Sequence, residues 1–175
     1  MTDGSAIMSD AALVLMGVAG SGKSTVGEHC ARQLGWPFIE GDAFHPPANR
    51  QKMAAGRALT DGDRQAWLQA LCHELQQHDA PLVLSCSALK RHYRDLLRAA
   101  RPGVRFVHLS LPEAQARERV QARSGHLFPV SLVSSQYAVL EPPTHEADVL
   151  ELDAREPVAA LMGQIGAWLS GGQSS

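Results

Sequence analysis

The sequence contains few aromatic residues and no excess of charge of either sign. Aromatic side chains make up 5% of the chain, and 16 basic against 18 acidic residues leave a formal net charge of −2. Proteins that bind nucleic acid usually present a basic surface with interleaved aromatic rings, and anionic membranes attract basic segments. The composition therefore argues against both kinds of partner.

Long hydrophobic runs and paired cysteines are also missing. No window approaches the roughly 20 apolar residues of a membrane span, and residues 1–10 lack the basic and apolar regions of a signal peptide. Three cysteines, Cys30, Cys72 and Cys86, are odd in number and contain no C-x-x-C pair, which argues against a disulfide framework and a cysteine zinc site. We expect a soluble cytoplasmic protein whose cysteines are small buried hydrophobic residues.

A phosphate-binding loop follows directly on an apolar strand. Leu13–Met16 leads into Gly17–Thr25, which fits G-x-x-x-x-G-K-[ST]. In such a loop the backbone N–H groups surround phosphate oxygens and the following helix adds the positive end of its dipole. The predicted ATP-binding residues of the loop are Gly17, Val18, Ala19, Gly20, Ser21, Gly22, Lys23, Ser24 and Thr25. Lys23 would reach the β- and γ-phosphates, and the Ser24 hydroxyl would ligate Mg²⁺.

Apolar runs and helical periodicities alternate along the rest of the chain. Strands are predicted at about 13–16, 38–39, 82–86, 104–109 and 149–152. Amphipathic helices separate them, so we expect an α/β fold with a doubly wound parallel sheet and right-handed crossovers. All 175 residues are expected to form one domain, with frayed tails at 1–10 and 170–175.

Charged residues follow several of these strands, and the carboxyl ends of parallel strands are where open α/β sheets bind ligands. Asp42 follows the second strand, which we expect beside the P-loop strand, and can accept a hydroxyl proton or hold a Mg²⁺-bound water. Asp61 or Asp63 would cap the next helix, and Arg64 could clamp a carboxylate. Lys90 begins a helix, where a cation is unfavourable because it opposes the helix dipole. Lys90 could therefore be a ligand of the substrate or an ordinary surface charge, and both alternatives stay open.

Two arginines near residue 120 form a further candidate. Arg119 and Arg123 are four residues apart on a predicted helix and lead into a glycine-containing loop that could close over a nucleotide. The alternative is a solvated basic face that pairs with Glu113 and Glu118.

These motifs together resemble the small P-loop gluconokinases of the shikimate and nucleoside monophosphate kinase group. The shared stretches are Gly17–Thr25, Gly41-Asp42-x-Phe44-His45-Pro46, Asp61-x-Asp63-Arg64-x-x-Trp67-Leu68, Cys86-Ser87-Ala88-Leu89-Lys90, Arg123-x-Gly125-His126 and Ser135-Gln136. They cover nearly the whole chain in the family's order. The chain differs from the usual family pattern at Leu127 and Tyr137, where phenylalanine is common.

The resemblance implies a function and a set of roles. It implies ATP-dependent phosphorylation of D-gluconate at the 6-hydroxyl with Mg²⁺ as cofactor, a five-stranded sheet, a substrate-binding insert at about 42–78, a lid at about 124–137, and a possible homodimer. Lys23, Asp42 and Arg123 would be catalytic, and Arg119 and Arg123 would contact the nucleotide. The implied substrate-binding residues are Asp42, His45, Arg64, Lys90, His126 and Gln136. Another small sugar acid or a shikimate-like acceptor stays open, because no single residue proves recognition of a linear six-carbon chain.

Overall fold

Five parallel strands form the centre of the fold in a computed structural model that describes residues 10–123 and 128–171. The strands are β1 (Ala12–Met16), β2 (Phe38–Glu40), β3 (Leu82–Ser85), β4 (Val104–Ser110) and β5 (Val149–Asp153). Their order across the sheet is β2-β3-β1-β4-β5, and each neighbouring pair is parallel. The predicted five-stranded parallel sheet is therefore confirmed.

Helices connect the strands throughout. They are α1 (Lys23–Leu34), α2 (Pro47–Ala54), α3 (Asp61–Gln77), α4 (Arg91–Ala100), α5 (Glu113–Ala122), α6 (Val133–Val139) and α7 (Val158–Gly171). Short 3₁₀ turns lie at Gly41–Phe44 and Val130–Leu132. The second turn is followed directly by α6.

The core has two layers, one on each face of the sheet. Leu13 and Leu15 of β1 are buried with side chains of α1, α5 and α7, whereas Val14 and Met16 are buried with side chains of α3 and α4. Successive side chains of a strand point to opposite faces, so both faces of a central strand become apolar. This is the doubly wound arrangement that the alternating pattern predicts.

The expectation that β2 lies beside the P-loop strand is wrong. β3 lies between them, pairing with β1 on one side and β2 on the other. The physical reason is burial: all four residues of β3 are buried, whereas the three residues of β2 are only half-buried. A fully apolar strand gains most from an interior position, and the shorter strand takes the edge.

The start of α3 also differs from the expectation, because neither aspartate is the N-cap. Thr60 is the N-cap: its hydroxyl accepts a hydrogen bond from the Asp63 N–H at 3.1 Å. The Asp63 carboxylate in turn accepts one from the Thr60 N–H at 2.8 Å, which completes a capping box. Asp61 is thereby left to pair outside the helix.

Residues at the inner ends of both predicted tails belong to the folded part of the chain. The Asp10 carbonyl accepts a hydrogen bond from the buried Arg101 guanidinium at 2.9 Å, so the chain is already anchored there. Ser170 lies within α7, which continues to Gly171. Residues 1–9 and 172–175 lie outside the described residues.

Candidate active site

A cavity of about 490 Å³ opens at the carboxyl ends of β1, β2 and β3. Its volume is within the range typical of sites for small ligands, roughly 300–1,000 Å³. The predicted residues that line it are Ala19, Gly20, Gly22, Lys23, Ser24, Asp42, His45, Arg64, Arg123 and Gln136. The phosphate-binding loop and most of the predicted substrate-binding residues thus line the same cavity.

The P-loop forms one wall of this cavity and ends at the first turn of α1. Gly22 is the N-cap of α1 with a left-handed φ of 94°, a conformation that glycine adopts without strain. The Lys23 ammonium donates a hydrogen bond to the Val18 carbonyl at 3.0 Å. Burial holds the pKa of Lys23 below its ordinary value, an effect that Asp42 and Glu40 oppose and that Arg123 increases. A desolvated cation therefore lies at the helix N-terminus, where anions bind.

Glu40 is a cavity residue that the sequence analysis missed. One carboxylate oxygen accepts a hydrogen bond from the Ser24 hydroxyl at 2.5 Å, and the other accepts one from the Ser85 hydroxyl at 2.6 Å. It is the last residue of β2, directly before the Gly-Asp pair. Its position at a strand end was the available signal, the same one that identified Asp42.

Asp42 and His45 line the cavity near a buried tryptophan, Trp67. The Trp67 indole N–H donates to the Gly41 carbonyl at 2.8 Å, and the His45 ring stacks on Trp67 with centroids 4.3 Å apart. A Cβ at Gly41 would lie 2.0 Å from the Ser85 carbonyl oxygen, so no other residue fits there. The 3₁₀ turn is thus fixed on both sides, and Asp42 faces the cavity.

His45 is held neutral at physiological pH. Burial lowers the pKa of His45 to about 4; Asp42 opposes this shift, whereas the Arg64 and Arg50 guanidiniums add to it. The Asn49 side-chain amide lies 3.3 Å from His45 Nδ1 and donates to it, which leaves the other ring nitrogen for a ligand. His45 can therefore bind a substrate hydroxyl without adding positive charge.

This pKa predicts how stability depends on pH. In the unfolded chain His45 titrates at its ordinary value of about 6.5, so between about pH 6.5 and about pH 4 the unfolded state binds more protons. We therefore expect the free energy of unfolding to fall as the pH decreases through that window, and His45→Gln to remove part of the decrease. Urea unfolding at about pH 7.5 and about pH 5 measures it. His29→Gln, at an exposed position of α1, is the control, and an unchanged pH dependence in His45→Gln would contradict the assignment.

The two predicted carboxylate-binding cations have different surroundings. Arg64 lines the cavity, and its guanidinium donates to the Tyr93 hydroxyl at 3.2 Å. Lys90 is not among the lining residues; its ammonium pairs with the Asp61 carboxylate at 2.9 and 3.0 Å. Tyr93 also donates to Asp61, and Tyr93 and Lys90 together hold the pKa of Asp61 below its ordinary value. Asp61 thus joins α3 to the start of α4 instead of capping a helix.

Arg50 is a cavity residue that sequence reasoning missed. The Arg50 guanidinium donates to the Ala43 carbonyl at 2.6 Å and borders the cavity. The described lining thus contains four cationic side chains and two carboxylates, with His45 neutral. An excess of positive charge in a recess favours anionic ligands. Nothing in the local sequence around Arg50 distinguished it from a surface residue of α2.

Arg119 of α5 and Arg123, the C-cap residue of that helix, have different surroundings in the structure. Arg123 borders the cavity, whereas the Arg119 guanidinium donates to the Gly20 carbonyl at 3.2 Å and to the Ala154 carbonyl at 2.9 Å. Arg119 thereby connects the P-loop to the end of β5 and is not a lining residue. The predicted solvated face is partly present too, because Arg117 and Glu113 lie 3.5 Å apart.

The described part of the expected lid borders the cavity through α6. The Gln136 side-chain oxygen accepts a hydrogen bond from the Ala19 N–H of the P-loop at 2.6 Å. The Tyr137 hydroxyl donates to the Leu111 carbonyl, so this departure from the family pattern adds a contact to the turn after β4. Residues 124–127, which include the predicted ligand His126 and the departure Leu127, lie outside the described residues.

Four further residues of the predicted P-loop set do not line the cavity: Gly17, Val18, Ser21 and Thr25. The Gly17 N–H donates to the Ser87 carbonyl at 3.2 Å, and the Val18 carbonyl holds Lys23. The buried Ser21 hydroxyl has no hydrogen-bond partner within the described parts of the chain, and Thr25 is exposed. These residues belong to the loop and the first turn of α1 but do not line the cavity.

Oxygen atoms suitable for a magnesium ion meet at the P-loop. Ser24, Glu40 and Asp42 all line the cavity. Among the described residues, no cluster of three or more acidic, histidine or cysteine side chains could hold a metal by itself. Mg²⁺ typically uses one or two protein ligands and takes the remainder from phosphate and water. The residues present fit that mode of binding.

Comparisons with known proteins agree with this geometry. The AAA domain family matches residues 13–143. A gluconokinase of Gluconobacter oxydans is 46% identical over 148 residues, 82% of this chain and 83% of that protein. The crystal structure of a gluconokinase from Sinorhizobium meliloti is 43% identical, with a TM-score of 0.80 over 94% of this chain and 98% of that chain. A shikimate kinase from Acinetobacter baumannii, 18% identical with a TM-score of 0.66 over 97% of this chain and 98% of that one, shares the fold alone. On these similarities, the chain belongs to the gluconokinase family of P-loop kinases.

Proposed function

We propose that this protein transfers the γ-phosphoryl group of ATP to the 6-hydroxyl of D-gluconate. One observation carries the proposal: a single cavity joins the P-loop lysine, Lys23, to Asp42 and Arg64 on the acceptor side. A nucleotide-binding module would need only the first of these. The similarity to gluconokinases over most of the chain supports the choice of acceptor.

In this proposal each wall of the cavity has its own role. The P-loop and Lys23 bind the β- and γ-phosphates, and Arg123 neutralises charge on the transferring group. Asp42 orients the 6-hydroxyl and takes its proton as the oxygen bonds to the γ-phosphorus and the bond to the β–γ bridging oxygen breaks. His45, Arg64 and Gln136 contact the sugar acid. Positioning and electrostatic stabilisation supply most of the rate enhancement.

Mg²⁺ is proposed as the cofactor, with Ser24 as its direct protein ligand. Glu40 accepts a hydrogen bond from the Ser24 hydroxyl, which supports a role for Glu40, like Asp42, in holding a magnesium-bound water. The ion would neutralise charge on the β- and γ-phosphate oxygens. The carboxylates would then orient its water ligands.

The surroundings of Arg64 and Lys90 predict which of them recognises the carboxylate of gluconate. Arg64→Gln is expected to raise the KM for gluconate at least tenfold, because it removes a guanidinium that borders the cavity. Lys90→Gln should raise it less than threefold, because Lys90 is paired with Asp61. Steady-state kinetics at saturating ATP measure both. The reverse order of effects would transfer the role to Lys90.

A coupled assay for ADP formation with a panel of polyhydroxy acids tests the proposed function directly. Gluconate should give the highest kcat/KM, and shikimate and uncharged hexitols should give little turnover. ATP hydrolysis that is independent of every acid would overturn the proposal and favour a nucleotide-dependent binding module. Highest turnover with another sugar acid would retain the kinase and correct the acceptor.

The domain organisation, the oligomeric state and the cellular location of the protein are further proposals. We propose that residues 42–78 form the acceptor-binding insert and 124–137 the lid of one domain, and that the protein works as a homodimer, which sedimentation equilibrium tests. A cytoplasmic location is supported by three free cysteines, of which Cys30 and Cys86 are buried as expected and Cys72 is partly exposed. No helix within the described ranges is long and apolar enough to span a bilayer.

A further inference from the structure

We propose that Arg94, a buried arginine of α4, is a positioning residue that holds the β3–α4 loop, residues 86–90, in the geometry the active site needs. Arg94 does not line the cavity, but Ser87 and Leu89 of this loop do. The inference rests on the proposed function, because phosphorylation of gluconate is its readout.

Arg94 is buried, and all three nitrogens of its guanidinium donate hydrogen bonds. Nε and Nη2 donate to the two carboxylate oxygens of Glu146 at 3.0 and 2.7 Å. Nη1 donates to the Ala88 carbonyl at 2.7 Å, and Nη2 also donates to the Glu141 carbonyl at 2.9 Å. The side chains of Arg94 and Glu146 are 0% and 4% exposed. One residue thus joins α4, the β3–α4 loop and the segment that follows α6.

The carbonyl that Arg94 holds belongs to a strained residue. Ala88 has a φ of +46°, in the left-handed region that residues with a Cβ adopt only at a cost. Strain of this kind persists only where the surrounding structure fixes it, and it is found most often at functional sites. The hydrogen bond from Arg94 is one such constraint.

The same loop contacts the P-loop. The Ser87 carbonyl accepts a hydrogen bond from the Gly17 N–H at 3.2 Å, and the Leu89 carbonyl accepts one from the Glu141 N–H at 2.8 Å. Gln136 of the preceding helix, α6, accepts from the Ala19 N–H. A shift at Ala88 would therefore move both the acceptor wall and a phosphate-binding segment. Misplacement of about 1 Å can lower a rate on the order of 100-fold.

Stability alone does not account for this arrangement. Replacing a buried ion pair with apolar residues of similar volume is often neutral or stabilising, so such a pair is weak evidence for a stabilising role. A second buried arginine, Arg101, provides the comparison. Its guanidinium donates to the Leu75, His78 and Ala80 carbonyls at 2.7–2.9 Å. These groups lie near the amino ends of the strands, whereas the cavity lies at the carboxyl ends. Arg101 fixes chain segments as Arg94 does, but far from the cavity.

The test compares Arg94→Lys with Arg101→Lys. Lysine offers one ammonium and cannot reach Glu146, Ala88 and Glu141 together. Here kcat is expressed per nucleotide-binding site, and the sites are titrated with a non-hydrolysable ATP analogue. We expect Arg94→Lys to lower this kcat at least tenfold and to leave the KM values within threefold of wild type. Arg101→Lys should lower the melting temperature with kcat per site within twofold. Glu146→Gln, which keeps an acceptor for Arg94, should stay within about threefold of wild type.

Three outcomes would overturn the inference. They are a kcat per site of Arg94→Lys within twofold of wild type, an equal loss in Arg101→Lys, and wild-type kcat in the apolar double variant Arg94→Met with Glu146→Leu. The double variant decides the question if Arg94→Lys does not fold, because it removes both charges of the buried pair, and Arg98, the other partner of Glu146, keeps its ion pairs with Asp95 and Asp148. Wild-type protein that phosphorylates no sugar acid would overturn the proposed function instead, so the two failures are distinguishable.

Discussion

Lys23→Ala is expected to lower kcat by about 100- to 1,000-fold, the effect typical of removing one preorganised group that stabilises transition-state charge. Lys23 is half-buried at the N-terminus of α1, and its ammonium lies in the field of Glu40, Asp42 and Arg123. In such a desolvated place a cation acts on phosphate oxygens more strongly than in water.

Folding should not suffer from this change. Because burial lowers the pKa of Lys23, the charged side chain is held at a cost, and its removal should leave the melting temperature unchanged or raise it. Lys52→Ala is the control: this lysine pairs with Asp63 at 2.5 Å, away from the cavity lining, and its loss should leave kcat within twofold. Single-turnover kinetics with gluconate and ATP compare the two. Near-normal turnover in Lys23→Ala would remove the lysine from the proposed mechanism.

Asp42→Asn is the second change with a large expected effect, a loss of kcat of about 100- to 10,000-fold, the range for removing a general base. Asparagine keeps the shape of the side chain but cannot take the hydroxyl proton. Asp42 lies in the 3₁₀ turn that the Trp67 indole fixes through Gly41, so the substitution should leave the turn in place. The KM for ATP should change less than threefold, because the proposed contact of Asp42 is with the gluconate hydroxyl.

Asp79→Asn, at an exposed aspartate before β3, is the matched control and should behave as wild type. The variants are compared by the rate of phosphogluconate formation at saturating ATP and by thermal unfolding. If Asp42→Asn retains more than a tenth of the wild-type kcat, Asp42 orients the substrate at most and does not act as the base.

The fold was predictable because its signals are local. The run Leu13–Met16 before the glycine loop, and the buried run of β3, identify strands without knowledge of the rest of the chain. The order of strands is not local: the position of β2 outside β3 depends on which strand buries more surface, and sequence adjacency suggested the wrong neighbour.

The site was predictable where a residue's role follows from its motif. Lys23 and Asp42 line the cavity as predicted. Side-chain pairing was not predictable, because partners such as Lys90 and Asp61 are 29 residues apart. Arg50 was missed for the same reason, because only its tertiary surroundings distinguish it from an ordinary surface charge, whereas Glu40 could have been found from its position at the end of β2. Gln136, implied as a substrate ligand by resemblance, in the structure accepts a hydrogen bond from the P-loop, and its role with substrate stays a prediction.

Gly41 has a consequence for mutational scanning of this enzyme. A Cβ there would lie 2.0 Å from the Ser85 backbone oxygen, so every substitution should abolish activity by displacing the turn, although the residue has no side chain to take part in chemistry. In a saturation library, substitutions at position 41 should therefore lose as much activity as substitutions at the catalytic positions, whether growth or turnover is measured. Abundance measurements would separate them: variants at 41 should be depleted as proteins, whereas Asp42 variants should accumulate as folded, inactive enzyme.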